Sequence, residues 1–173
     1  MACNVSNGRV LPCKSAVGGL KSIFFGPYTD TTADLAPSSG TITLDDTVSF
    51  YKYEIKGNSS LETTINSSRE NGTTFYESAL NVTLTFLDVA TQEQIKLLAH
   101  GRPQIVVEDY NGNHFLVGKD NGCEVTGGTV VTGAAMGDLS GFTITFTAQE
   151  TAPPFFCAAA PTDDSSSAID PTA

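Results

Sequence analysis

The chain has 173 residues, 40% of them hydrophobic and 16% charged, with a formal net charge of −10 and a pI near 4.4. That length fits one domain around a single core. The acidity excludes an ordinary nucleic-acid binder, which needs a basic face to neutralise phosphates.

Residues 1–20 carry Gly and Cys but no periodicity, and read as an N-terminal arm. A domain is expected over 21–157. "SIFFG" (22–26) is a short apolar run that predicts a first strand. "PYTDTTADLAPSSG" (27–40) is dense in turn formers and predicts a loop. "VSFYKYEIK" (48–56) is rich in β-branched and aromatic residues and predicts a strand ended by Gly57-Asn58. "SLETTINSS" (60–68) alternates, with Leu61, Thr63 and Ile65 on one face and Glu62, Thr64 and Asn66 on the other. "RENG" (69–72) is a turn. In "TTFYESALNVTLTFL" (73–87), Leu80, Val82, Leu84 and Phe86 oppose Asn81, Thr83 and Thr85, the period-two signature of a half-buried strand.

One helix is predicted over 88–103, with Asp88 as N-cap, a narrow stripe of Ile95, Leu98 and Ala99, Gly101 at the C′ position and Pro103 beyond. "QIVVEDY" (104–110) and "HFLVGK" (114–119) flank Asn111-Gly112, a hairpin signal. Asn121-Gly122 marks a second turn. "GFTITFTAQ" (141–149) sets Phe142, Ile144 and Phe146 against Thr143, Thr145 and Thr147. Residues 158–173 are of low complexity and read as a disordered tail. The expected fold is mainly β: a sandwich or partly closed barrel with one flanking helix.

Chemical motifs fail one at a time. "EDYNGNHFLVGKDNG" begins like a calcium loop at Asp109, Asn111 and Asn113, but position 6 is His114 where an EF-hand requires Gly. "GGTVVTGAA" (127–135) spaces Gly128 and Gly133 as a phosphate loop does, yet continues Ala134-Ala135 instead of Lys-Ser/Thr. "GDLSG" places Ser140 one residue too late for a nucleophile elbow. His100 and His114 are the only histidines, so bases for triad chemistry are scarce. The pairs Asp45-Asp46, Glu108-Asp109 and Asp163-Asp164 are adjacent, and neighbours on a strand point to opposite faces. No enzyme, metal or cofactor is expected.

The cysteines Cys3, Cys13, Cys123 and Cys157 form no C-x-x-C pair, which excludes the usual zinc-knuckle and thioredoxin signatures. The N-terminus lacks an apolar core of signal-peptide length, so synthesis in the cytoplasm with reduced thiols is expected. No segment approaches the ~20 apolar residues that span a bilayer.

The order of "SLETTINSSRENGTTFYESALNVTLTFLD", one helix, "GRPQIVVEDYNGNHFLVGKDNG" and "GDLSGFTITFTAQE" resembles bacteriophage tail proteins of the tail-tube type, over residues 20–150. The resemblance implies a self-assembling virion protein. Six copies would form a ring whose inner sheets join around a lumen, and the rings would stack into a tube that conducts DNA during ejection. Its implied partners are further copies, other tail proteins and genomic DNA passing non-specifically. The lumen-facing candidates are then Glu62, Thr64, Asn66, Asn81, Thr83 and Thr85. The ring-stacking candidates are Asn58, Arg69, Glu70 and Asn71, together with the N-terminal arm. The alternatives are a tail-terminator, ring, neck or capsid-decoration protein, or a soluble ligand-binding or adhesin module using the Gly-rich segment 127–138.

Overall fold

The longest alternating run of the sequence becomes the longest strand of the computed structural model, which describes residues 5, 7–11, 13–28, 40–44, 48–55 and 57–163. In chain order the elements are β1 (Leu20–Gly26), β2 (Thr41–Ile42), β3 (Tyr51–Glu54), β4 (Ser60–Ser68), β5 (Thr73–Thr85) and α1 (Val89–His100). They continue with β6 (Gln104–Asp109), β7 (His114–Val117), β8 (Glu124–Val131), β9 (Gly141–Glu150) and β10 (Phe155–Cys157). One sheet has six strands in the order β2-β10-β7-β6-β1-β3, and the other has four in the order β4-β5-β9-β8. Neither closes into a barrel; among the described residues the fold is a β-sandwich with a single helix.

The period-two pattern explains how the sheets meet. Leu80, Val82, Ile144 and Phe146 project from the inner face of the four-stranded sheet. They pack on Ile23, Phe25, Ile105, Val107 and Val117 of the six-stranded one. The six-stranded sheet is also covered on its other side. There Phe24, Val106 and Leu116 meet Ile42 and Phe50 in a second cluster. A strand buried on both faces has no reason to alternate, and β6 is apolar through Ile105, Val106 and Val107 with five consecutive buried residues.

The C-terminal segment supplies part of that second cover. Ala158 N donates to Ile42 O at 2.8 Å, and Phe50 N donates to Thr162 O at 3.2 Å. Residues 158–163, expected in the tail, therefore run along the sheet; residues 164–173 lie outside the described residues. At the other terminus, the described residues before β1 are exposed and form no strand. The arm is tied down near its end, where Val17 N donates to Asn111 Oδ1 at 2.9 Å and Asn111 Nδ2 donates to Val17 O at 2.8 Å.

The helix begins where expected. Asp88 accepts from Thr91 N at 2.8 Å as N-cap. It ends differently, because Gly101 is extended (φ −98°, ψ −179°) and not left-handed. No helix residue is fully buried, but Ile95 and Leu98 pack against the main core. Three other expectations need correction. The strand expected over 48–56 is shortened to β3, since Phe50 is drawn into a bridge with Asp163. Phe86 does not join the apolar face of β5, because the backbone turns to φ +75° there and leaves the ring half exposed. The Gly-rich segment 127–138 is not all loop: residues 127–131 belong to β8 and 132–138 lie outside any strand. The short strands β2 and β10 were not foreseen.

Candidate assembly surfaces

The outer face of the four-stranded sheet is assembled by register. Ser60 pairs with Asn81, Glu62 with Ala79, Thr64 with Glu77 and Asn66 with Phe75. Across β5 and β9, Asn81 meets Thr145 and Thr83 meets Thr143. Thus all six lumen candidates, Glu62, Thr64, Asn66, Asn81, Thr83 and Thr85, stand on one face, exposed or half exposed. The register adds Glu77, Thr143, Thr145, Thr147, Glu124 and Thr129 to the same surface. The alternation of the threonines in "GFTITFTAQ" was legible beforehand. Glu77 and Glu124 needed the pairing register.

Hydroxyls lie side by side across this face. Thr145 Oγ1 donates to Asn81 Oδ1 at 2.9 Å. Thr126 and Thr147 share a hydrogen bond at 3.1 Å, and Thr129 bonds Thr143. Among the described residues of the face the only charges are carboxylates, Glu62, Glu77 and Glu124, with no Lys or Arg. Neutral hydroxyls with sparse negative charge give a wettable surface that does not attract phosphates.

The two sheets treat their edges differently. The outer strands of the six-stranded sheet are β2, with two residues, and β3, with four, and such short edges offer little for pairing. Those of the four-stranded sheet are β4, with nine residues, and β8, with eight. Neither contains Pro, Lys or Arg, residues that commonly blunt an edge. β8 carries one bulge, between Val125 and Gly127, and β4 carries none. Every pairing within the sheet is antiparallel. With four strands, β4 and β8 therefore run in opposite directions.

The stacking candidates are divided. Arg69, Glu70 and Asn71 sit exposed at the tip of the β4–β5 hairpin. Asn58 lies before β4, at the opposite end of that strand, with φ +49°. The distal part of the hairpin extends past β9, whose last partner is Tyr76 opposite Glu150. Ile65 is 63% exposed and Phe75 38%, so the ribbon shows apolar side chains on both faces.

The stretch 108–122 is a hairpin and a loop. The Asn-Gly pair belongs to a three-residue connection and not a two-residue one: Asp109 N donates to Asn113 O at 3.0 Å, and Gly112 takes φ +81°, the left-handed position that favours Gly. The Asp109 carboxylate accepts from the backbone N–H and the side-chain amide of both Asn111 and Asn113. Burial pushes its pKa up, but these hydrogen bonds outweigh burial and hold it below the usual carboxylate range. The oxygens that resemble calcium ligands are thus committed to the turn. Among the described residues no group of three or more His, Cys, Asp or Glu is placed to hold a metal ion.

Further along, the Glu150 carboxylate accepts from Asp120 N and Asn121 N at 2.8 and 3.2 Å, closing the second loop from beneath. Burial is the main reason its pKa is raised. Cys123 is fully buried beside it, and burial pushes its thiol far above the ordinary range. Burial pushes the Cys157 thiol up to about 12. Neither is a reactive thiolate near neutral pH. Cys13, Cys123 and Cys157 are unpaired, and Cys3 lies outside the described residues.

Comparison with protein-family models, curated proteins and solved structures returns no significant match. Among the described residues no helix is long and apolar enough to cross a membrane.

Proposed function

We propose that this chain is a structural protein of a bacteriophage virion. Its copies join into rings, hexameric as the sequence resemblance implies, and the rings stack into a tail tube that conducts DNA during ejection. The observation that carries the reading is the four-stranded sheet: an outer face without cations, bounded by two long edges of opposite direction. Rotation about a ring axis places β4 of one copy beside β8 of the next. Because the two run oppositely, the sheet continues antiparallel through every junction, and closure removes all of its free edges.

In such a ring the Thr- and Glu-bearing face lines the lumen. The apolar face stays in the sandwich core, with the six-stranded sheet and α1 outside. Glu62, Glu77 and Glu124 repel the DNA backbone weakly, and the hydroxyls hold water, so the duplex passes without being retained. The other partners are neighbouring tail proteins at the two tube ends. The protein acts in the virion after assembly in the host cytoplasm, and the reading calls for no catalytic group, metal or cofactor.

Negative-stain microscopy of the purified full chain, with light scattering, tests this reading. Hollow filaments of stacked rings are expected. Single rings that never stack would assign a terminator or neck role, and a monomer persisting at high concentration would remove the assembly reading altogether.

A further inference from the structure

We propose that Asn71, at the tip of the β4–β5 hairpin, is a site of spontaneous covalent modification. Its side-chain amide condenses with the backbone nitrogen of Gly72, releases ammonia and leaves an aspartyl or isoaspartyl residue in the turn. The site needs only the folded hairpin and stands independently of ring assembly.

An Asn followed by Gly is chemically labile because Gly has no Cβ to obstruct its own nitrogen. Water is the sole co-reactant. Base removes the proton of Gly72 N, and the nitrogen bonds to Asn71 Cγ. The Cγ–Nδ2 bond breaks as Nδ2 takes up a proton and leaves as ammonia. Water then opens the resulting cyclic imide at one of its two carbonyls. Opening at Cγ gives aspartate. Opening at the backbone carbonyl gives isoaspartate, in which the chain runs through Cβ and Cγ.

The sequence holds four Asn-Gly pairs, at 7–8, 71–72, 111–112 and 121–122. All four asparagines are exposed, so exposure does not distinguish them. Hydrogen bonding does, because attack needs the glycine N–H free and the amide free to swing over it. Gly112 N donates to Asp109 O at 3.2 Å. The Asn111 amide donates to Val17 O at 2.8 Å and to Asp109 Oδ2 at 3.2 Å. Gly122 N donates to Gly118 O at 3.2 Å, and Asn121 Nδ2 donates to Gln149 O at 2.7 Å. Gly122 is also crowded, with Arg102 and Tyr28 at 3.1 and 3.2 Å from where a Cβ would stand.

At the hairpin tip the pattern reverses. Asn71 N donates to Ser68 Oγ at 3.3 Å, which holds the turn. Among the described residues neither Gly72 N nor the Asn71 side chain has a hydrogen-bond partner. Gly72 takes φ +63°, and nothing lies within 4 Å of its Cβ position. Asn7-Gly8, in the exposed arm before β1, is equally open and supplies an unconstrained reference within the same molecule. The modified tip differs in charge and length. Arg69 and Glu70 balance each other, so the new carboxylate makes the tip acidic, and isoaspartate lengthens the backbone of a tight turn.

Peptide mapping by mass spectrometry, with aspartate and isoaspartate separated, tests the assignment during incubation of the full chain at mildly alkaline pH. The chain is kept dispersed, as checked by light scattering, so failure of the ring reading leaves the test intact. Each residue's conversion rate is divided by its own rate in urea, which cancels the effect of flanking sequence. The ratio should stay near one for Asn7 and Asn71. It should fall to roughly a tenth or less for Asn111 and Asn121, where at least two hydrogen bonds must break first. A ratio for Asn71 as low as those of Asn111 and Asn121 would overturn the assignment. Ratios near one at all four residues would overturn the hydrogen-bond protection on which it rests.

Discussion

The two sheets share one core but face the rest of the world differently. The six-stranded sheet is covered on both sides, by the other sheet and by the segment gathered around Ile42, Phe50 and Phe155, and its outer strands are short. The four-stranded sheet is covered on one side only and ends in two long strands without blunting residues. The difference separates a sheet whose faces are both buried from one whose outer face and long edges remain open.

The largest effect is expected in the shared core. Phe146, fully buried against Phe25 at 5.4 Å between ring centroids, should cost about 3–5 kcal/mol as Phe146→Ala, read from the urea midpoint. Next comes Gly141, where β9 approaches β5 so closely that a Cβ would lie 2.0 Å from Leu84 O. Gly141→Ala should part these strands, with a loss of roughly 2 kcal/mol or more. A loss near that of an ordinary surface substitution would mean that the open sheet is not rigidly paired at this end.

A smaller contrast is electrostatic. Glu108, on the protected sheet, is buried, which pushes its pKa up, but hydrogen bonds from Lys21 and Ser22 outweigh burial and hold it below 4.5. The stability it contributes is present above pH 4.5 and lost as pH falls through its folded value. Glu150, on the open sheet, is displaced upward, chiefly by burial. The folded chain keeps that proton longer than the unfolded chain, so stability falls as pH rises from 4.5 through the folded value. Glu108→Gln should flatten the acid limb of a stability–pH profile, and Glu150→Gln the limb above 4.5. The two substitutions acting on the same limb would contradict the assignment.

Below these lies the helix cap: Asp88→Ala should cost about 1 kcal/mol, measurable by thermal unfolding. Least destabilising is the outer face itself. Glu62→Lys with Thr145→Lys should change stability by about 0.5 kcal/mol or less per site. Assembled particles of that double variant should nevertheless retain DNA, and release it as salt rises. Unchanged DNA retention would mean that this face does not line the channel.

Much of the open sheet was legible in the sequence. β4, β5 and β9 alternate, and an alternating strand with one wet face announces both its structure and the membership of each face. The protected sheet was harder to read, for the same physical reason that makes it stable. Burial on both sides removes the alternation from β6. β2 and β10 are so short that only their pairing makes them strands: β2 lies parallel to β10, Thr41 with Phe156 and Ile42 with Cys157, and β10 lies antiparallel to β7. β8 hid behind Gly127 and Gly128, which have low strand propensity, although Gly128 tolerates close approach to the Thr143 backbone. The hairpin tip was visible as "RENG", while the separation of Asn58 from that tip needed the strand between them.

The central claim is that the four-stranded sheet continues from copy to copy through β4 and β8. Amide hydrogen exchange, compared between dispersed and assembled chain, tests it directly. The account predicts that alternate edge-facing amides of Ser60–Ser68 and of Glu124–Val131 slow markedly on assembly, while the β2 and β3 edges change little. Unchanged exchange along β4 and β8 in assembled particles would contradict it.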